Sequence, residues 1–193
     1  LGWPVAFEEG KGPVLKNFED ESGLESLKPE LAGESFGKVY EAIQKTSEML
    51  GNEGYEDTAL IGFAGAPWTV ACYMVDGGSS RDFLKTRLMA YKQPELFGQL
   101  LNVIEESTIE YLLGQIKAGA EAIQLFDSWA GIVDSQHFGR FVSAPAARIV
   151  RALTDTFPDI PVIGFPKGAG PSLLKYAQET GVDCLSLDSQ IPA

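Results

Sequence analysis

Apolar residues along the chain follow two rhythms, one nearly continuous over short runs and one with a helical period. The continuous runs are "TALIGFAG", "EAIQLFDSWAG", "IPVIGFPKGAG" and "VDCLSLDS". Each is bounded by small or turn-forming residues, and each predicts a buried strand. Helical repeats lie between them. "QPELFGQLLNVIEESTIEYLLGQIKAGA" puts Phe97, Leu100, Leu101, Ile104, Thr108, Tyr111 and Ile116 on one face. "DSQHFGRFVSAPAARIVRALTDTFP" and "PSLLKYAQETG" predict two more helices. Upstream, Phe36, Val39, Tyr40, Ile43, Thr46, Met49 and Leu50 recur at helical spacing, with Gly51 as the stop. The opening "LGWPVAFEEGKGPVLKNF" alternates apolar and polar residues around "EEGKGP" and predicts a β-hairpin or an extended excursion.

Strands that alternate with helices in this way predict an α/β fold, a parallel sheet covered by helices. "GAEAIQLFDS" and "GVDCLSLDS" share one design, a helix-ending Gly followed by a strand that ends in Asp-Ser. The spacing is uneven because a long insertion follows "IGFAG". A (β/α)8 barrel needs eight strands and about 250 residues, whereas four strands are legible here. The chain therefore reads as a smaller doubly wound sheet or as the middle half of a barrel. A half-barrel standing alone would leave two open sheet edges.

Composition narrows the function classes. The chain of 193 residues carries a net charge of −12, with no basic cluster denser than Arg81, Lys85 and Arg87. A nucleic-acid partner, which needs phosphate neutralisation, is not expected. Apolar runs fall far short of the roughly 20 residues of a membrane span, and no secretory signal is visible, so a cytoplasmic location is expected. Cys72 and Cys184 lie far apart in apolar surroundings and read as reduced, buried thiols. With one His and no CxxC, a closed zinc site lacks soft ligands. The chain starts at Leu1 in mid-pattern and reads as processed, trimmed or partial.

In either architecture ligands bind at the carboxyl ends of the strands. Those ends carry "AGAPWT", "DSWAG", "PKGAG" and "DSQ", all small or polar, and together they would form one rim. Gly65 and Ala66 would let a ligand approach the backbone, while Trp68 and Tyr73 would supply a flat wall and a phenol. Tight strand–helix packing explains the same residues equally well. Asp127 and Asp188 could form an acid/base pair of the kind used in glycoside hydrolysis, or bind a helix end or loop backbone. The second reading is favoured for Asp188, and Asp127 is left open. Ser128 has no His partner and reads as a hydrogen-bond donor rather than a nucleophile. His137 reads as a surface or packing residue, and Lys167 as a weak candidate for an anion clamp. "DGGSS" reads as a mobile loop or, alternatively, a lid. "GAGPS" lacks the spaced Lys-Ser/Thr end of a phosphate-binding loop.

Longer motifs carry a resemblance. "GFAGAPWTVACYMVDGG" and "AGAEAIQLFDSWAG" resemble diagnostic stretches of the uroporphyrinogen decarboxylase family, to which "LGWPVAFEEGKGP" and "IPVIGFPKGAG" are also similar. The resemblance spans essentially the whole chain. It implies the central portion of a (β/α)8 TIM barrel of the uroporphyrinogen decarboxylase/methionine synthase-like kind, with residues 1–193 as one incomplete domain. It further implies a cytoplasmic homodimer that needs no metal or organic cofactor. The implied reaction removes the four acetate carboxyls of uroporphyrinogen III to give coproporphyrinogen III. No cofactor is needed because a protonated pyrrole ring accepts the electrons each departing carboxylate leaves behind.

The resemblance implies substrate contacts at Tyr73 and Ser128, places Phe63 and Gly65 along the cleft, and leaves Trp68 as packing. The family's arginine motif and its pyrrole-binding aspartate are expected upstream of Leu1, and its substrate-binding histidine beyond Ala193. The expectation is thus an internal fragment without activity of its own and without a catalytic residue in this segment. Departures exist at Cys72, where Thr is common, at Asp76, where Glu is common, and in the terminal "LDSQIPA". Two alternatives remain, a corrinoid-dependent methyltransferase of the same superfamily and a non-catalytic piece with a partial cleft. Bound zinc would favour the first, and porphyrin binding without turnover the second.

Overall fold

The computed structural model describes residues 1–8, 12–28, 32–55, 57–189 and 191. Two short strands, β1 (Val5–Glu8) and β2 (Gly12–Leu15), pair antiparallel with Val5 opposite Leu15, which decides for the hairpin over the extended excursion. The turn at 9–11 lies outside the described residues. The hairpin leads into α1 (Glu21–Glu25), capped by the Asp20 carboxylate, which accepts from the N–H groups of Ser22 and Gly23. The fully buried Phe18 ring lies 5.8 Å from that of Trp3, and the Phe18 N–H donates to Met74 O, so the opening segment is tied to the helix layer.

Helix α2 (Ala32–Asn52) runs through Gly51, one residue beyond the expected stop. Only part of its apolar face is covered: Phe36 and Tyr40 meet Tyr111, whereas Met49 is 58% exposed. Four parallel strands follow in the spatial order β3-β4-β5-β6: β3 (Ile61–Gly65), β4 (Ala122–Asp127), β5 (Val162–Pro166) and β6 (Cys184–Leu185). They occupy the four predicted runs, although β6 is only two residues long. The register pairs Phe63 with Gln124 and Phe126 with Phe165.

The long insertion after β3 is two helices that apolar periodicity did not show, α3 (Pro67–Asp76) and α4 (Leu84–Lys92). Helix α3 is buried on nearly every side, so it has no polar face to produce a period. Next come α5 (Pro94–Lys117), a π-helical turn at 139–143 that runs into α6 (Ala144–Thr156), and α7 (Leu173–Thr180).

Burial alternates along each central strand, as the pleat requires. Ile123, Leu125 and Asp127 of β4, with Val162 and Gly164 of β5, face the helices and are buried. The opposite face carries Ile61 and Phe63, which are 48% and 59% exposed, and the half-buried Phe126 and Phe165. Cys184 lies on this open side in register with Ile163 and is exposed. The expected buried thiol therefore holds for Cys72 and fails for Cys184, because a strand residue's burial depends on which face it takes. The parallel sheet is thus covered by helices on one face and open on the other.

Polar side chains are built into the buried layer as well. Gln115 of α5 accepts from the Phe63 N–H at 3.0 Å and donates to the Phe63 carbonyl at 2.9 Å. These two groups lie on the edge of β3 turned away from β4, and Gln115 satisfies them as a neighbouring strand would. Gly62 makes room, since a Cβ there would lie 2.8 Å from Gln115 Oε1.

Candidate functional site

Because the strands are parallel, their carboxyl ends gather at one end of the sheet, and backbone contacts tie them together there. Lys167 N donates to Asp127 O at 3.1 Å, and Gly131 N to Lys167 O at 2.9 Å. Gly131 and Gly168 touch so closely that a Cβ on Gly131 would lie 2.7 Å from Gly168 O. Gly168 N donates to the Asp188 carboxylate at 2.7 Å, which brings in the end of β6. Asp188 is thus a loop-backbone binder, as favoured from sequence. Gln190 lies outside the described residues; otherwise the four small or polar strand ends do form one rim.

The first and second strand ends are joined by side chains. The Thr69 hydroxyl, in the first turn of α3, donates to Asp127 Oδ1 at 2.6 Å and accepts the Trp129 N–H at 3.2 Å. The Trp68 indole N–H donates to Trp129 O at 3.0 Å. Trp68 is fully buried and lies 5.7 Å from both Phe97 and Phe141, so the packing role expected for it holds.

Asp127 points to the helix side of the sheet and is 2% exposed. Burial pushes its carboxyl up to about 7, against the lowering effect of the Thr69 hydrogen bonds. It also raises the thiol of Cys72 and the phenol of Tyr176, each already raised by its own burial. With Asp127 beneath the helices and Asp188 holding a loop, the two carboxylates do not face each other across a cleft. The acid/base pair weighed from sequence is not formed.

Tyr73, one turn along α3 from Thr69, is half-buried, and its ring lies edge-on to Phe83 at 5.9 Å and to Trp129 at 6.4 Å. Ser128 is half-buried between Asp127 and Trp129. Tyr73 and Ser128 therefore lie at two adjoining strand ends, with Trp129, the chain neighbour of Ser128, packed against the Tyr73 ring. Phe63 and Gly65 belong to the open face of β3, where the Phe63 ring is edge-on to Phe126 at 5.9 Å. Gly65 also borders a 360 Å³ hollow with Ala64, Val70, Met74 and Ile104. Lys167 is exposed at the rim. His137 is held by Asp134, with Nδ1 2.9 Å from Oδ1, and stacks on Phe141, in keeping with its expected packing role. The Tyr91 hydroxyl and His137 hold the Asp134 carboxyl well below the usual range, at about 2.

Sequence reasoning left Thr69, Phe83 and Trp129 without roles. Phe83 is the one described non-glycine residue with positive φ, at 48°, and its ring is fully buried against Trp129 at 4.7 Å. A non-glycine residue in this region costs on the order of 1–3 kcal/mol, and burial of the ring offsets that cost. No local pattern signals such contacts. Among the described residues no three His, Cys, Asp or Glu side chains converge as metal ligands, and no helix is long and apolar enough to cross a membrane.

This wall of parallel strands, helix-covered outside and bearing one polar rim, is part of a (β/α)8 barrel. A methyltransferase from Methanosarcina mazei has the same fold over this whole chain and 54% of its own, with a TM-score of 0.69 at 18% identity. The family described as uroporphyrinogen decarboxylase (URO-D) matches residues 1–193, and the chain belongs to that family. Uroporphyrinogen decarboxylases of Rhodospirillum rubrum and Rickettsia bellii are 46% and 42% identical over 192 residues. The chain spans about half the length of these relatives, 54% and 55%.

Proposed function

We propose that the full-length protein to which this chain belongs acts as a uroporphyrinogen decarboxylase, removing the four acetate carboxyls of uroporphyrinogen III to give coproporphyrinogen III. One observation carries the reading: the family match runs over the whole chain and includes the two segments that meet at the rim. In this reading Tyr73 and Ser128 contact the tetrapyrrole at the rim, while Phe63 and Gly65 line the cleft on the open face. Residues 1–193 form part of one barrel domain, and the protein works as a cytoplasmic homodimer without a cofactor. The binding task is to hold a flexible polyanion and orient one acetate at a time toward a proton donor. Since the chain carries −12, local bases must overcome a repelling field.

The test is to incubate the full-length protein anaerobically with uroporphyrinogen III and separate the oxidised products by chromatography. Stepwise loss of four carboxyls is expected. A folded, full-length protein that leaves the substrate unchanged would overturn the reading.

A further inference from the structure

Ser128 sits between two peptide groups, and each is pinned by a different element. The Asp127–Ser128 peptide is held through Asp127 O, which accepts from Lys167 N beyond β5. The Ser128–Trp129 peptide is held through the Trp129 N–H, which donates to Thr69 Oγ1. Pinning both peptide planes fixes φ and ψ of Ser128, and with them the direction of its Cα–Cβ bond. The first anchor is ordinary strand pairing. The second is a side chain from the helix that also carries Tyr73.

The polarity of this anchor is obligatory. An N–H can only donate, so the Thr69 oxygen must accept from Trp129 and its single proton must go elsewhere. Asp127 Oδ1, at 2.6 Å, receives it. A carboxyl oxygen accepts there whether Asp127 is ionised or carries its proton on Oδ2. Trp68 then takes the far side of the same residue through Trp129 O. Consecutive residues of α3 thus hold both backbone polar groups of Trp129.

We propose that Thr69 is a positioning residue for the decarboxylase reaction: its hydroxyl, held by Asp127, sets Ser128 against helix α3 and therefore against Tyr73. The inference rests on the reading that Tyr73 and Ser128 contact the substrate. Trp68 acts with Thr69 in the same way. Neither side chain need touch the tetrapyrrole.

The experiment is a double-mutant cycle in the full-length protein. Thr69→Val keeps the shape and removes the hydroxyl, and kcat/KM falls about ten- to a hundredfold. Thr69→Ser restores the hydroxyl and returns kcat/KM to within about threefold of the parent, although it gives up the methyl contact. In the Ser128→Ala background Thr69→Val has little further effect, because the group it positions is gone. Amide exchange at Trp129 rises in Thr69→Val and not in Thr69→Ser. If Thr69→Val does not fold, Trp68→Phe is run through the same cycle. Equal losses with Ser128 present or absent overturn the inference, as does an undiminished Thr69→Val enzyme. An inactive but folded parent protein instead overturns the functional reading itself, whatever the exchange at Trp129 shows.

Discussion

Thr86 gives both of its donors to Asp76, the backbone N–H at 3.0 Å and the hydroxyl at 2.7 Å. Helix α4 begins after Phe83, whose side chain cannot cap it, so the last residue of α3 supplies the cap from outside. At the start of α3, which follows Ala66, the Thr69 hydroxyl likewise donates to an outside carboxyl, that of Asp127. We expect Asp76→Ala to destabilise the chain by about 1–2 kcal/mol. Thermal unfolding followed by circular dichroism would show it, and an unchanged midpoint would refute the capping role.

The pH dependence of stability carries a signature of Asp127. Its carboxyl is raised in the folded chain from 3.8 to about 7, so the folded state holds a proton that the unfolded state has released between those values. Its contribution is full below pH about 4 and is lost as pH rises through about 7. Asp127→Asn removes that loss. Urea unfolding at pH 5 and pH 8 should show the parent losing on the order of 2–3 kcal/mol relative to Asp127→Asn. Parallel pH profiles for the two proteins would exclude a raised Asp127.

Glu105 is buried in α5 and makes a two-pronged pair with the half-exposed Arg148 of α6, at 2.7 and 2.6 Å. Arg148→Met leaves that carboxylate without its partner and should cost about 1–3 kcal/mol, less than for a fully buried pair because Arg148 is in reach of water. Adding Glu105→Leu should recover most of the loss. A double variant no more stable than Arg148→Met would show that the pair does not act as a unit.

Gly131→Ala tests the closeness of the rim. The new methyl would meet the Gly168 backbone at 2.7–3.0 Å, and backbone cannot swing aside as a side chain can. A loss of about 1–3 kcal/mol is expected, with Gly168 displaced in a crystal structure of the variant. An unshifted, equally stable protein would mean that the two loops separate freely.

Several features were legible before any fold was known. Near-continuous apolar runs located β3, β4 and β5 because their side chains are apolar both under the helices and on the open face, where Ile61, Phe63, Phe126 and Phe165 lie. The long period of α5 was legible because one of its faces stays wet. Helix α3 was not, since burial all round leaves no contrast to read. The rim was foreseeable as a place, because parallel strands must end together. Its wiring was not: nothing in the spacing of Thr69, Asp127 and Trp129 says that one hydroxyl joins them across about 60 residues. Gln115 and Glu105 sit on the buried side of α5, where an apolar count would overlook them.

The sequence by itself determined the alternation of strand and helix, the family, and the two segments that carry Tyr73 and Ser128. These follow from short-range periodicity and contiguous motifs, which survive without a third dimension. Only the tertiary structure decided that Asp127 turns under the helices while Ser128 stays at the rim. Residues along a strand alternate between its two faces, and only the packed layers establish that the face of Asp127 is buried while the chain turns away at Ser128.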